Sequence, residues 1–265
     1  MDETRPPVSY ALEGDVAHVG LDRPHKRNAV SDAVIDALEE AVARAGREAK
    51  AGVLFGHGRH FCAGLDLAEH SGRTPHEALR HSRRWHRVFG RIAEGDIPWV
   101  AALHGAVVGG GLELASAAHV RVADRTAFFA LPEGQRGIFV GGGASVRTAR
   151  LMGVARMTDM MLTGRVASAE EGERWNLCQY VVPEGEALGK AADLAGRAAG
   201  NAALSNDAII HALPRISDMA RDDGLMVESF VASFTSVSPE AQERLAAFLE
   251  KRAARLETPG KDEAD

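Results

Sequence analysis

A compact apolar run that stops in glycines and passes into helix-forming sequence occurs twice in this chain, and the recurrence limits the folds open to it. Residues 51–55 (Ala-Gly-Val-Leu-Phe) halt at Gly56 and Gly58. Residues 97–103 (Ile-Pro-Trp-Val-Ala-Ala-Leu) halt at His104-Gly105, and a second glycine cluster at 109–111 opens the helix-like stretch 112–118. Neither run alternates apolar with polar residues, so both read as strands buried on both faces, and buried strands joined through helices form parallel sheets with crossovers. The flanks agree with this reading. Residues 8–21 alternate around Glu13-Gly14-Asp15, which predicts a β-hairpin. Ser31 is placed to cap a helix whose apolar face runs through Val34, Leu38, Ala41 and Val42, with Gly46 as its end. A long helix is expected over 76–94, strands at 119–123 and 178–182, and short helices over 143–176 punctuated by Gly153 and Gly164. After residue 182 the pattern is helical over 186–199, 203–234 and 239–255, with Pro214 breaking the middle stretch. The expected architecture is a mostly parallel α/β core over residues 1–200, a helical region over 201–257 and a charged tail, 258–265, expected to be disordered.

Composition narrows the partners. With 265 residues, 45% hydrophobic and 26% charged, the chain can bury a full core, which excludes disordered, collagenous and coiled-coil classes. Its net charge of -6 gives no pull toward nucleic acid or anionic lipid, so a small molecule is the expected ligand. Two cysteines, Cys62 and Cys178, are too few for a disulfide framework and fit a reducing, cytoplasmic setting. No apolar run reaches transmembrane length, and the acidic, proline-bearing start does not resemble a secretion signal.

Chemistry concentrates in the second glycine loop. Where a helix opens within glycines, a backbone N–H such as that of Gly110 is unpaired and can approach a ligand closely; Glu113, three residues on, faces the same side. Taken alone, such glycines allow close packing and such a glutamate complements the helix dipole. Glu133, in Leu131-Pro132-Glu133 after the apolar stretch 128–131, reads alone as an exposed turn residue. Together, two carboxylates on one substrate face can divide the work of general base and general acid, beside a donor able to hold an oxyanion. Competing motifs fail. His57 and His60 lack a third ligand at metal spacing, the glycine loop is followed by neither a phosphate-loop nor a dinucleotide pattern, and Cys62 has no assignable base.

These residues stand in an order that resembles the crotonase superfamily, the enoyl-CoA hydratases and isomerases. The collinear segments are Arg23-Pro24 through Asn28-Ala29, Phe61-Cys-Ala-Gly-Leu-Asp66, residues 97–113, Leu131-Pro132-Glu133, and the glycines 141–143 before Arg147. The resemblance implies a spiral ββα-superhelix core, a carboxyl-terminal helical region serving as trimerisation or lid element, and a homotrimer or dimer of trimers. It implies that the Leu65 and Gly110 amides hold the thioester oxygen, that Glu113 and Glu133 are the acid/base pair, and that Gly141 helps to place the water. Keeping both glutamates favours hydration of a 2-enoyl-CoA to a 3-hydroxyacyl-CoA. Coenzyme A enters as part of the substrate, with no separate cofactor and no metal.

By the same resemblance, Arg27, Ala63 and Asp66 lie along the CoA moiety, Arg27 being either a phosphate contact or a solvated loop cation. Lys251 and Arg252 are weaker candidates for a neighbour's nucleotide. Trp85, Phe89, Phe139 and Val140 are expected to border the acyl pocket, with Phe230 and Phe234 as further candidates, each against a core reading. His104 and Val140 depart from the residues often found at their positions. Tyr10 and Tyr180, the chain's two tyrosines, fall in expected strands away from the site, which weakens a phenol-gripping hydratase-lyase. The alternatives are another reaction through the same enolate, double-bond isomerisation or hydratase-lyase cleavage, and a non-catalytic acyl-CoA-binding or RNA-associated scaffold.

Overall fold

The computed structural model describes residues 6–250 and Arg252. The chain divides after Asn201 into two compact units. The first opens with a hairpin of β1 (Val8–Glu13) and β2 (Val16–Leu21), paired from Glu13↔Val16 to Val8↔Leu21 around the Gly14-Asp15 turn. Helix α1 (Asp32–Glu48) leads to β3 (Ala51–Gly56); α2 (Leu67–His70) and α3 (Pro75–Ala93) lead to β4 (Trp99–Leu103). The chain continues through β5 (Ala106–Val108), α4 (Gly110–Ala115), β6 (Val120–Asp124) and β7 (Phe128–Ala130). Then come α5 (Arg147–Met152), α6 (Val154–Thr163), β8 (Val166–Ser168), α7 (Ala169–Arg174), β9 (Tyr180–Val182) and α8 (Ala187–Ala199).

Six strands form one sheet in the order β1-β2-β3-β4-β6-β9, parallel except for the opening hairpin. Its strands are apolar on both faces because both faces are covered. Val53, Val100, Ala102 and Val122 pack with Ala187, Ala191 and Ala195 of α8. The alternate residues Leu54, Ala101, Leu103 and Ala123 join the main core with Ile35 and Leu38 of α1 and Val88, Phe89 and Ile92 of α3. Ser31 caps α1 by accepting from the Val34 N–H, and Thr74 with Glu77 forms a capping box on α3.

A second, smaller layer of pairings stacks successive turns of the chain. Val30 bridges Leu65, Cys62 bridges Val107, and β5 pairs in parallel with β7, which pairs antiparallel with β8. Strands β5, β7 and β8 are absent from the sequence expectation. At three residues each they are too short to carry a periodic signal, and β8 lies where only short helices were expected.

Three boundaries also differ from the sequence expectation. Helix α1 runs two residues past Gly46, since a glycine in a packed helix costs only about 1 kcal/mol relative to alanine. In the second unit, α9 (Ala203–Ile216) contains Pro214 in its last turn, and the break falls after Ile216, before α10 (Arg221–Ser236). The final helix, α11 (Pro239–Leu249), starts with proline at its first position behind the Ser238 cap and ends before residue 255. The expected disordered tail, 258–265, lies outside the described residues, as does Lys251. No helix among the described residues is long and apolar enough to cross a membrane.

A buried side chain, Asn28, ties the loop after β2 to the loop after β3. Asn28 sits at φ 55°, accepts from the Arg23 N–H at 2.9 Å, and donates to the His57 and His60 carbonyls at 2.9 and 2.7 Å. Asn28→Ala strands three backbone groups and places a less tolerant residue in the left-handed region. Thermal and urea denaturation should show a loss of roughly 2–4 kcal/mol.

Candidate active site

Two stacked turns bring the chemistry to one edge of the first unit. Because β5 and β7 run side by side in parallel, their ends coincide: the Gly109 N–H donates to the Ala130 carbonyl at 2.9 Å. The segment after β5 turns into α4 with Gly110 and Glu113, and the segment after β7 reaches Glu133. The Cys62↔Val107 bridge adds the loop carrying Leu65, and a Cβ built on Gly110 would lie 3.5 Å from the Leu65 nitrogen. Neither the Leu65 nor the Gly110 N–H has a hydrogen-bond acceptor among the described residues.

These groups line one cleft of about 350 Å³, together with Trp85, Phe139, Val140 and Gly141. Glu113 and Glu133 are 2% and 6% exposed, so the exposed-turn reading of Glu133 is not what the fold adopts. Their surroundings differ. Glu113 Oε2 accepts from the Gly142 N–H at 2.5 Å and Oε1 from the Ala144 N–H at 3.4 Å. Burial nevertheless pushes its carboxyl up to about 7, the Glu133 charge adds to the rise, and the two N–H bonds and Arg147 oppose it. Glu133 is also raised, mainly by burial, with its own backbone N–H and then Arg136 opposing. Its Oε2 is buried with no hydrogen-bond partner among the described residues. Burial of this kind disfavours the ionised form of a carboxyl.

Glycine is required at 110 and 142 by close approach. A Cβ on Gly110 would meet the Trp85 ring at 2.6 Å, and one on Gly142 would collide with the Glu113 carboxylate. Trp85 is buried and leans on Phe89, with ring centroids 5.4 Å apart. Phe89 itself is fully buried in the core behind Trp85 and does not line the cleft, which corrects its expected place in the acyl pocket. Phe139 is 69% exposed at the cleft mouth. Phe230 and Phe234 belong to the second unit, where they line an apolar groove with Leu204, Ala208 and Val231.

On the loop expected along CoA, Arg27 is exposed and its carbonyl accepts from the Ala63 N–H at 3.0 Å. Asp66 is buried, and its partner is Arg23, with guanidinium nitrogens 3.3 Å from Oδ2. Residue pattern alone did not single out Arg23 as that partner. His57 and His60 bind Ser9 Oγ and the Ala106 N–H, and Arg252 bonds Glu250. The Cys62 thiol, buried and donating to the Asn28 carbonyl, is pushed up to about 12 and is no nucleophile.

Four cleft residues escaped the sequence reading: Ala78, His81, Ser82 and Ile138. The first three lie on the helical face of α3 that carries Trp85, so extending the i, i+3, i+4 rows from Trp85 reaches them. Chemically, the cleft offers two free N–H donors for a developing oxyanion beside one carboxyl able to accept a proton and another suited to hold one.

A family profile described as enoyl-CoA hydratase/isomerase matches residues 12–259. Among curated relatives, enoyl-CoA hydratase EchA19 of Mycobacterium tuberculosis is 28% identical, covering 95% of this chain and 96% of its own. An Escherichia coli 2,3-dehydroadipyl-CoA hydratase is 30% identical over 88% of this chain and 91% of its own. Among solved structures, one from Rhodopseudomonas palustris, provisionally assigned as an enoyl-CoA hydratase, superposes with a TM-score of 0.90 at 49% identity, covering 93% and 95% of the two chains. The enoyl-CoA hydratase of Bacillus anthracis superposes with a TM-score of 0.87 at 28% identity, covering 93% and 97%. The α/β architecture is thus that of the crotonase fold.

Proposed function

Since the chain belongs to the enoyl-CoA hydratase/isomerase family, we propose that it adds water reversibly across the C2=C3 bond of a 2-enoyl-CoA, giving a 3-hydroxyacyl-CoA. The observation that carries this reading is the meeting, in one cleft, of two unpaired backbone N–H groups with two buried, unequally partnered carboxyls. The thioester oxygen takes the Leu65 and Gly110 N–H bonds, which draws electron density from C3. Glu113, ionised and oriented by the Gly142 and Ala144 N–H groups, accepts a proton from water as the water oxygen bonds to C3. The C2=C3 electron pair moves to the thioester oxygen as an enolate. On its collapse C2 takes the proton held on Glu133 Oε2. The pair then exchanges one proton to reset, and the reverse sequence dehydrates the product. Loss of one oxyanion donor in such sites costs about 3 kcal/mol of transition-state stabilisation, so Leu65 and Gly110 carry a large share.

Arg27, Ala63 and Asp66 lie along the CoA moiety in this reading, Trp85, Phe139 and Val140 against the acyl group, and Gly141 beside the attacking water. The enzyme works as a homotrimer or dimer of trimers in the cytoplasm. Purified protein given short, medium and cinnamoyl 2-enoyl-CoAs should consume the conjugated-thioester absorbance and yield products heavier by one water. Products of unchanged mass would replace hydration by isomerisation, shortened acyl-CoAs would indicate cleavage, and inert mixtures would end the hydratase reading.

The pH profile is a further expectation. Glu113 must be ionised, and it is raised to about 7, so kcat/KM should fall as pH drops below about 7. In this mechanism Glu133 delivers a proton to C2, so activity should fall again on the alkaline side. The two limbs belong to the coupled pair rather than to either residue. A profile flat from pH 5 to 9 would contradict the assignment.

A further inference from the structure

We propose that Ser82, on α3, is a positioning residue that locks the Gly141–Gly142 peptide with its N–H on Glu113. The inference rests on the reading of Glu113 as the base. Ser82 Oγ donates to the Gly141 carbonyl at 2.6 Å, and the N–H of that same peptide unit, belonging to Gly142, donates to Glu113 Oε2 at 2.5 Å. One planar peptide therefore transmits a hydrogen bond from a helix-borne hydroxyl to the carboxylate.

Two physical effects follow. The first is orientation. The peptide lies between two glycines, so neither flanking torsion is restrained by a Cβ, and the unit can rotate to turn its carbonyl toward the carboxylate. Among the described residues, Ser82 is the only donor to the Gly141 carbonyl; the next carbonyl, of Gly142, is held separately by the Arg147 guanidinium. The second is polarisation. A hydrogen bond on a carbonyl strengthens donation by the N–H of the same amide. Both effects favour ionised Glu113, and the Gly142 N–H already opposes the rise that burial causes. The other groups facing Glu113 are Glu133, which raises it, and Arg147, which lowers it and itself faces Glu94. On the Ser82 side, the nearby cleft group is His81, whose Nε2 lies 3.1 Å from Trp85 Nε1 and 3.2 Å from Asp32 Oδ1.

The test uses Ser82→Ala, Ser82→Cys, which keeps the shape but donates weakly, and Ser82→Thr, which keeps the hydroxyl. Carboxyl-13C glutamate NMR of the substrate-free enzyme, assigned with Glu113→Gln, should show the Glu113 titration moving up by roughly half to one pH unit in the Ala and Cys variants, with Thr near wild type. In parallel, kcat at pH 7 should fall about three- to tenfold in Ala and Cys, with KM little changed and the acidic limb displaced upward. An unmoved Glu113 titration in folded Ser82→Ala, or a Cys variant indistinguishable from wild type, overturns the proposal. Because the titration needs no turnover, a wild-type enzyme that fails to hydrate would sink the functional reading while leaving the role of Ser82 decided on its own.

Discussion

Glu113→Gln is expected to lower hydration by about a thousandfold while making the protein more stable than wild type at pH 8. The loss follows from removing the proton acceptor, an effect on the order of 10²–10⁴ in rate. Glutamine still offers an oxygen to the Gly142 N–H and gives up only the long 3.4 Å bond from the Ala144 N–H, so the loop should keep its place. The gain follows from linkage. Glu113 titrates near 7 in the folded chain, against 4.5 for the unperturbed group, so folding takes up a proton between those values. Wild-type stability therefore falls as pH rises from about 4.5 to about 7 and stays reduced above it, by up to roughly 3 kcal/mol for a group this deeply buried. The uncharged variant escapes that loss. Urea denaturation should show it more stable than wild type at pH 8, with the difference gone near pH 4.5. Equal stabilities at both pH values would mean that Glu113 titrates normally, and the general-base argument would lose its electrostatic support. Glu133→Gln should also remove most activity, since the amide has no carboxyl proton to deliver to C2.

The pairing of those two glutamates shows where sequence reading stops. The glycine run 109–111 and Glu113 mark a helix opening in their own local pattern, and the buried character of 51–55 and 97–103 predicts a parallel sheet without any tertiary information. What no local pattern contains is the stacking of β5 on β7. Each strand is three residues long, below the length at which periodicity distinguishes strand from loop, yet their shared end is what sets Glu133 beside Glu113. The order of motifs supplied the convergence by resemblance, where spacing alone left Glu133 an exposed turn. Phe89 illustrates the converse. It shares a helical face with Trp85, and face membership cannot say which aromatic meets the cleft and which supports it from behind. Arg23 was legible as a loop cation but not as the partner of Asp66, because a contact between residues 43 apart depends on how two loops stack.

Gly110→Ala is expected to cut hydration by about a hundredfold or more, although the change adds one methyl group and removes no hydrogen-bonding atom. The added Cβ would meet two carbons of the Trp85 ring at 2.6 and 2.9 Å. That ring cannot yield easily: it is buried, backed by Phe89, and its Nε1 donates to His81. The strain must move the 110 backbone, which lines the cleft together with Leu65. Oxyanion donors act only at the right place, so a displacement has nearly the effect of deletion, on the order of 10²–10³ in kcat. Overpacking of this kind also costs about 1–3 kcal/mol of stability. A general folding defect is separated from a displaced donor by adding Trp85→Leu, which opens room for the methyl. The double variant should recover about tenfold in kcat over Gly110→Ala alone, while Trp85→Leu by itself mainly alters acyl preference through KM. Full activity in Gly110→Ala would remove Gly110 from the oxyanion site. Loss with no recovery in the double variant would mean that the methyl itself, rather than collision with the ring, is what the site cannot accept.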